Sequence, residues 1–380
     1  MPERADAGAE PPRSPRRWAA AIVGSLLVGG GFAWLLRAGT LPVLPAAEHL
    51  ARVRWWVPPA YAALLVVVLL VRAARWYWLL LPLQPVPARR VMGVSFIGYA
   101  AILLLPLRTG ELVRPVLIRQ KGLSGWAAAG SVGAERVIDG LSLSALLFLS
   151  LQLARPLDPL PDRIGELAVP AALIPGAAYS ALLLFCGAFV AMGAFYWRRA
   201  WARRTTERVI GLVSPRVARS LADKVEHMAE GLRFLPSARA AGPFVAATVI
   251  HWILNGAGIW LMCWGAGLST ITFWEACAVM GVFGLGTLTP NAPGFFGAFQ
   301  LSMYAGLAMY VPPSEVMGPG AAAVFWLFVL QTSITLAMGA VGLVMERISP
   351  KEALSAAGGG GGVGELPEGD GSTLASRPLR

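Results

Sequence analysis

Apolar residues in this chain fall in long, nearly unbroken runs. Six of them cover about 18–36, 57–82, 126–153, 168–197, 242–266 and 320–345. A helix needs ~20 mostly apolar residues to cross ~30 Å of hydrocarbon at about 1.5 Å per residue, so each run predicts one membrane span. The first ends in Leu35-Leu36-Arg37 with no small-x-small cleavage pattern after it, and reads as a retained span, not a signal peptide. Two further apolar regions, 91–123 and 272–310, are broken near their middles by Pro, Gly and polar residues, so neither makes one clean span or two full ones. The fold class that follows is all-α: a polytopic integral membrane protein with about six full spans and two oppositely oriented re-entrant helical hairpins.

Composition agrees and adds charge to the picture. The chain is 56% hydrophobic and only 14% charged, where a soluble domain carries roughly 25% charged residues. Its formal net charge is +11. Lysine occurs only at 121, 224 and 351, so the bases are almost all Arg, and they sit between apolar runs. That placement excludes an ordinary nucleic-acid-binding protein. Cys186, Cys263 and Cys277 lie inside apolar stretches without ligand spacing, which excludes a disulfide framework and gives no metal site. No cofactor is expected.

The loop charges orient the chain by the positive-inside rule. The segment 198–240 holds ten bases from Arg198 to Arg239 against Glu207, Asp223, Glu226 and Glu230, and Arg13, Arg16 and Arg17 precede the first span. Both belong on the cytoplasmic side, whereas 154–167, 267–272 and 311–319 fall outside. Arg37, Arg52 and Arg54 dissent. The expected arrangement is a cytoplasmic (inner) membrane protein with both termini inside. It has a basic N-terminus (1–17), a transmembrane domain (18–347) and a disordered Gly-rich tail (348–380). Within 198–240, Val209, Leu212, Val213, Val217, Leu221, Val225, Met228 and Leu232 recur at helical spacing. The segment reads equally as an amphipathic helix touching anionic head groups or as a solvated basic loop.

Both interrupted regions break at a Pro-x-x-x-Gly pattern, Pro106 with Gly110 and Pro290 with Gly294. Pro removes a backbone donor and Gly permits turns, so a helix stops at each and another starts. Freed backbone groups at membrane depth are tolerated where they line a cavity or are buried in protein. A pair of such breaks in opposite orientation points to a transporter built from inverted repeats. The plainer reading, two interfacial loops, stays open.

Charges inside the apolar runs sharpen this. Glu135, Arg136 and Asp139 lie near the start of the third run; Arg108, Glu111 and Arg114 follow the first break at spacings of three. Isolated charges at such depth are expensive, so the two groups are expected to meet in a nearly neutral network. That network either pins hairpin to span, or leaves Arg forks for a phosphate, with Glu111, Glu135 and Asp139 holding the Arg or taking a cation or proton. His251, beside Trp252 and Asn255, reads as a packing residue. Trp55, Trp56, Trp76, Trp78, Trp197 and Trp201 read as interfacial belts. Glu275 reads as solvated. No Walker loop, HExxH pattern or Ser–His–Asp set is present, so no catalytic residue is expected.

Three elements carry a family resemblance. Leu107-Arg108-Thr109-Gly110-Glu111-Leu112-Val113-Arg114-Pro115 resembles the R-x-G-E-x-x-R element of the flippase-like membrane domain, the transmembrane region of lysylphosphatidylglycerol synthases. Glu135-Arg136-Val137-Ile138-Asp139 resembles its E-R-x-x-D element, and Pro290-Asn291-Ala292-Pro293-Gly294-Phe295-Phe296-Gly297 its P-x-x-P-G-x-x-G. Many members follow the third element with Glu, where this chain has Gln300. The resemblance covers about 15–345 and implies an all-helical membrane fold that moves lipid between leaflets. In the synthases a separate soluble domain transfers the amino acid from tRNA, and this chain is expected to lack it. The expected function is therefore translocation of a phospholipid or lipid-linked substrate. Its head group would contact Arg108, Gly110, Glu111, Arg114, Glu135, Arg136, Asp139, Pro290, Asn291, Pro293, Gly294 and Gly297. A non-catalytic membrane partner of a soluble transferase is the alternative, and a membrane-embedded lipid-modifying enzyme with Glu135 or Asp139 as base is a third. No nucleic-acid partner is expected.

Overall fold

The computed structural model describes residues 44–164, 167–168, 171–198, 215–287 and 293–357. The expected first span at 18–36, the basic terminus 1–17 and the tail beyond 357 lie outside them. A short helix, α1 (Ala47–Arg52), leads into α2 (Val57–Leu80), whose two prolines occupy the first turn, where a missing N–H breaks no helical bond. α3 (Ala88–Leu104), a 3-10 segment (Pro106–Leu112) and α4 (Val113–Leu117) form the first hairpin. α5 (Gly125–Leu153) begins at Ser124, whose hydroxyl accepts the Ala127 N–H at 3.1 Å. Then come α6 (Ile174–Trp197), the amphipathic α7 (Pro215–Glu230) and α8 (Ala238–Ala266), which stops at left-handed Gly267. α9 (Phe273–Thr287) and α10 (Ala298–Leu307) make the second hairpin. α11 (Pro313–Glu346) and α12 (Pro350–Ala357) complete the described chain. A two-residue antiparallel pair, Arg163 opposite Ala168 and Ile164 opposite Leu167, lies in the α5–α6 connection.

The chain is an all-α polytopic membrane protein. Five described helices are long and apolar enough to cross a membrane: α2, α5, α6 (extended by a 3-10 turn from Ala171), α8 and α11. They coincide with five of the six expected spans. The segment 311–319, expected as a loop, is instead largely helical. α11 begins at Pro313 and passes Pro319 through a π-turn at Val316–Gly320, which accommodates the absent donor. The tail expected to be disordered from 348 starts with α12, whose Ala353 is buried against Ile97, Ala101 and Val113 of the first hairpin.

Both interrupted regions turn back on themselves. α3 stops at Leu104, earlier than the apolar run to Leu107 implies, because Pro106 drives Leu105 out of the helical region to φ −96°, ψ 140°. The returning 3-10 segment then lies against α3. A Cβ on Gly110 would stand 2.2 Å from the Ala101 carbonyl carbon, so only glycine fits. In the second hairpin α10 packs on α9, with Gly306 against the Val279 backbone, while Gly294 and Gly297 take positive φ at the break. α3 packs in turn on α11 through small residues, Gly339 on Ala100 and Gly342 on the Gly93 carbonyl. The described half of the basic 198–240 segment is docked tightly. Gly130 of α5 approaches the Met228 carbonyl and Gly231 approaches Ala127. Val209, Leu212 and Val213 lie outside the described residues.

Candidate functional site

Between the two hairpins lies a cavity of about 590 Å³ lined by α2, α3, α5, α6, α8, α9, α10 and α11. The 3-10 segment of the first break reaches it through Glu111, and the second break through Gly294 and Phe295. Most of its wall is aliphatic and aromatic, including Leu65, Val68, Leu143, Phe283, Phe299 and Phe328.

One end is charged. Asp139 is at the midpoint of α5, so the acidic pair sits deeper than the start of that helix. Glu135 is fully buried and bridges two guanidiniums: its Oε2 accepts from Arg114 Nη1 at 2.8 Å, and its Oε1 from Arg136 Nη2 at 2.9 Å. Arg136 also reaches Asp139 Oδ2 at 3.1 Å. The other Asp139 oxygen pairs with Arg75, which is buried in α2. All four carboxylate oxygens of Glu135 and Asp139 are thus committed to Arg. Arg114 meets Glu135 from the first hairpin, as its spacing suggested. Gly98 makes room for the Arg114 stem, which a Cβ there would strike at 2.3 Å.

Arg75 and its neighbour Arg72 are the residues that the reading of the sequence missed. Arg72 lines the cavity, and its guanidinium lies 4.3 Å from the centre of the Tyr99 ring. It makes no ion pair with a carboxylate among the described residues. Tyr99 also receives Arg114 at 5.4 Å, and its own buried hydroxyl has no hydrogen-bond partner among the described residues. The signal was present: two Arg three apart near the middle of an apolar run cost as much there as Glu135 does. With them the cluster is no longer neutral. Four described Arg side chains (72, 75, 114 and 136) face three carboxylates (111, 135 and 139). The Arg108 side chain lies outside the described residues.

The remaining expected residues divide. Glu111, Arg136, Asp139 and Gly294 line the cavity, while Arg114 and Glu135 support that lining from behind. Gly110 closes the first hairpin and Gly297 is buried at the start of α10. Pro290, Asn291 and the Pro293 side chain lie outside the described residues. Gln300 is a capping residue: its Oε1 accepts the Gly297 N–H at 2.7 Å. Glu275 likewise caps α9, its Oε2 accepting the Thr272 N–H at 2.7 Å. Trp76 is not an interfacial belt residue. It is fully buried, donates to Ser131 Oγ at 3.0 Å and lies 5.0 Å from the Arg114 guanidinium. Trp55 and Trp197, by contrast, are exposed. His251 of α8, expected to be a packing residue, lines the cavity with its neighbours Trp252 and Asn255, as do Gln331, Thr332 and Thr335 of α11.

No curated protein and no solved structure matches the chain. A family model described as the lysylphosphatidylglycerol synthase TM region matches residues 21–345, and so takes in both hairpins, every described span and the charged cluster. The chain belongs to the family of the lysylphosphatidylglycerol synthase transmembrane region.

Proposed function

We propose that the protein is a translocator of a phospholipid or lipid-linked substrate in the cytoplasmic membrane, with both termini inside. The observation that carries this is Arg72, stacked on Tyr99 at the charged end of a cavity whose remaining wall is largely apolar. An amphiphile matches both ends at once: its head group meets the guanidiniums and its acyl region the Phe and Leu wall. Arg136 is the second head-group contact, while Arg75 and Arg114 hold the carboxylates that fix Arg136 in place. Planar guanidiniums bind phosphate through paired donors, which a lysine at the same place does not reproduce.

Group transfer is less well supported than transport. A general base must be aimed at the group it deprotonates, and among the described residues Glu135 and Asp139 pair with Arg alone. The test is leaflet exchange of labelled phospholipids in vesicles holding the purified protein. Exchange well above that of empty vesicles is expected for the wild type, and near-background exchange for Arg72→Gln and Arg72→Lys. Background rates for wild-type protein with every lipid tried would rule translocation out.

A further inference from the structure

Resting on that reading, we infer that the head group is an anionic phosphodiester carrying a neutral, hydroxyl-rich substituent such as glycerol or a sugar, and not a cationic aminoacylated one. Two independent features of the cavity lead there.

The first is charge. A cationic head group needs a carboxylate to replace its lost hydration. Both oxygens of Glu135 and both of Asp139 already bind Arg, and Glu111 has an interaction partner too. Those carboxylates are outnumbered by the described Arg side chains, so an ammonium would enter a cluster already in positive excess. An anion, in contrast, meets Arg72 without displacing anything, and it lowers the positive excess of the cluster.

The second feature is the uncharged polar lining. Trp252 and Asn255 on α8, with Gln331, Thr332 and Thr335 on α11, put amide, hydroxyl and indole groups on the cavity wall. Among the described residues, neither the buried indole N–H of Trp252 nor the Tyr99 hydroxyl has a hydrogen-bond partner. A mixed set of donors and acceptors without charge matches hydroxyl groups, which both donate and accept. A bare phosphate monoester would leave these groups unmatched after expelling their water, and such unmatched burial is costly.

The experiment uses full-length protein in vesicles and in lipid nanodiscs. Binding is read by mass spectrometry of retained lipid and transport by leaflet exchange. The probes are phosphatidylglycerol, phosphatidic acid, phosphatidylethanolamine and the lysyl ester of phosphatidylglycerol. Phosphatidylglycerol is expected to be retained about tenfold over the ethanolamine and lysyl lipids, the scale of one well-made polar contact, and several-fold over phosphatidic acid. A double variant, Gln331→Leu with Thr332→Val, is expected to erase the preference over phosphatidic acid while keeping that over phosphatidylethanolamine. Arg72→Gln is expected to erase the latter. Retention of the lysyl ester or phosphatidylethanolamine equal to phosphatidylglycerol overturns the inference, as does parity with phosphatidic acid. These wild-type ratios decide the matter even where a variant fails to fold. Exchange without head-group preference would sink this inference and leave translocation standing; preference without exchange would do the reverse. Soluble glycerophosphoglycerol is the last arm. Weaker competition than the lipid identifies a lipid ligand, and equal competition keeps the head-group chemistry but assigns it to a soluble compound.

Discussion

Arg72 and Glu135 are both ionised groups inside membrane-spanning helices, yet their surroundings make them different experiments. Glu135 neutralises two Arg, one of them wholly buried, so Glu135→Gln leaves Arg114 without its counter-charge. Removing one partner of a buried pair costs about 3–5 kcal/mol. A large drop in melting temperature in detergent is expected, and an unchanged one would contradict the bridge. Arg72 has an aromatic face beneath it and no paired carboxylate among the described residues, so Arg72→Gln is expected to keep the melting temperature within a few degrees while abolishing transport. Gln300 gives a third residue-scale check. Gln300→Glu keeps the oxygen that accepts the Gly297 N–H and is expected to be neutral, whereas Gln300→Leu strands that donor at about 1–3 kcal/mol. A denaturation midpoint for the pair separates capping from any role in charge. Here the sequence was partly legible. The Glu135, Arg136 and Asp139 group announced itself by its spacing, and Arg114 by its place after a break. The pairing of Arg75 with Asp139 did not, because the two are 64 positions apart and nothing local to either residue ties them.

At the scale of elements, hydropathy and proline placement carried most of the information. Spans were readable because a membrane demands length and apolarity, and the breaks because Pro106 and Gly294 act on their own backbones. Packing was not readable. That Gly110 rests on Ala101, or that α12 covers the first hairpin, depends on surfaces meeting across the fold. Two glycines at the breaks should therefore respond unequally. Gly110→Ala drives a Cβ into backbone that has no rotamer to yield, and is expected to leave no monodisperse protein on size exclusion. Gly294→Ala meets no atom within 4 Å and pays only for its φ of 75°, about 1–2 kcal/mol. Folded protein with a lowered midpoint is expected.

For the whole molecule, the positive-inside rule and the hairpins make a joint prediction about sidedness. With both termini inside, the α5–α6 connection lies outside and α12 inside. In a background without native cysteines, Asp162→Cys is expected to react with a membrane-impermeant maleimide in intact cells, and Glu352→Cys only after permeabilisation. The reverse pattern would invert the molecule. The net charge of +11 belongs to this scale, since it sets orientation. The described side chains of the cluster that would recognise substrate are one charge from neutral.

Each hairpin brings its arms into close contact at a glycine, Gly110 on Ala101 and Gly306 on Val279, and side chains interlock along the rest of the seam, Arg114 at Gly98 in the first and Phe283 against Phe299 in the second. Such a joint has no bearing in it. Arms interlocked in this way are expected to move together, each hairpin as a single lever. If the protein opens its cavity to one face and then the other, the proposed movement slides one lever past its neighbour, along the seam where α3 meets Pro293–Phe295.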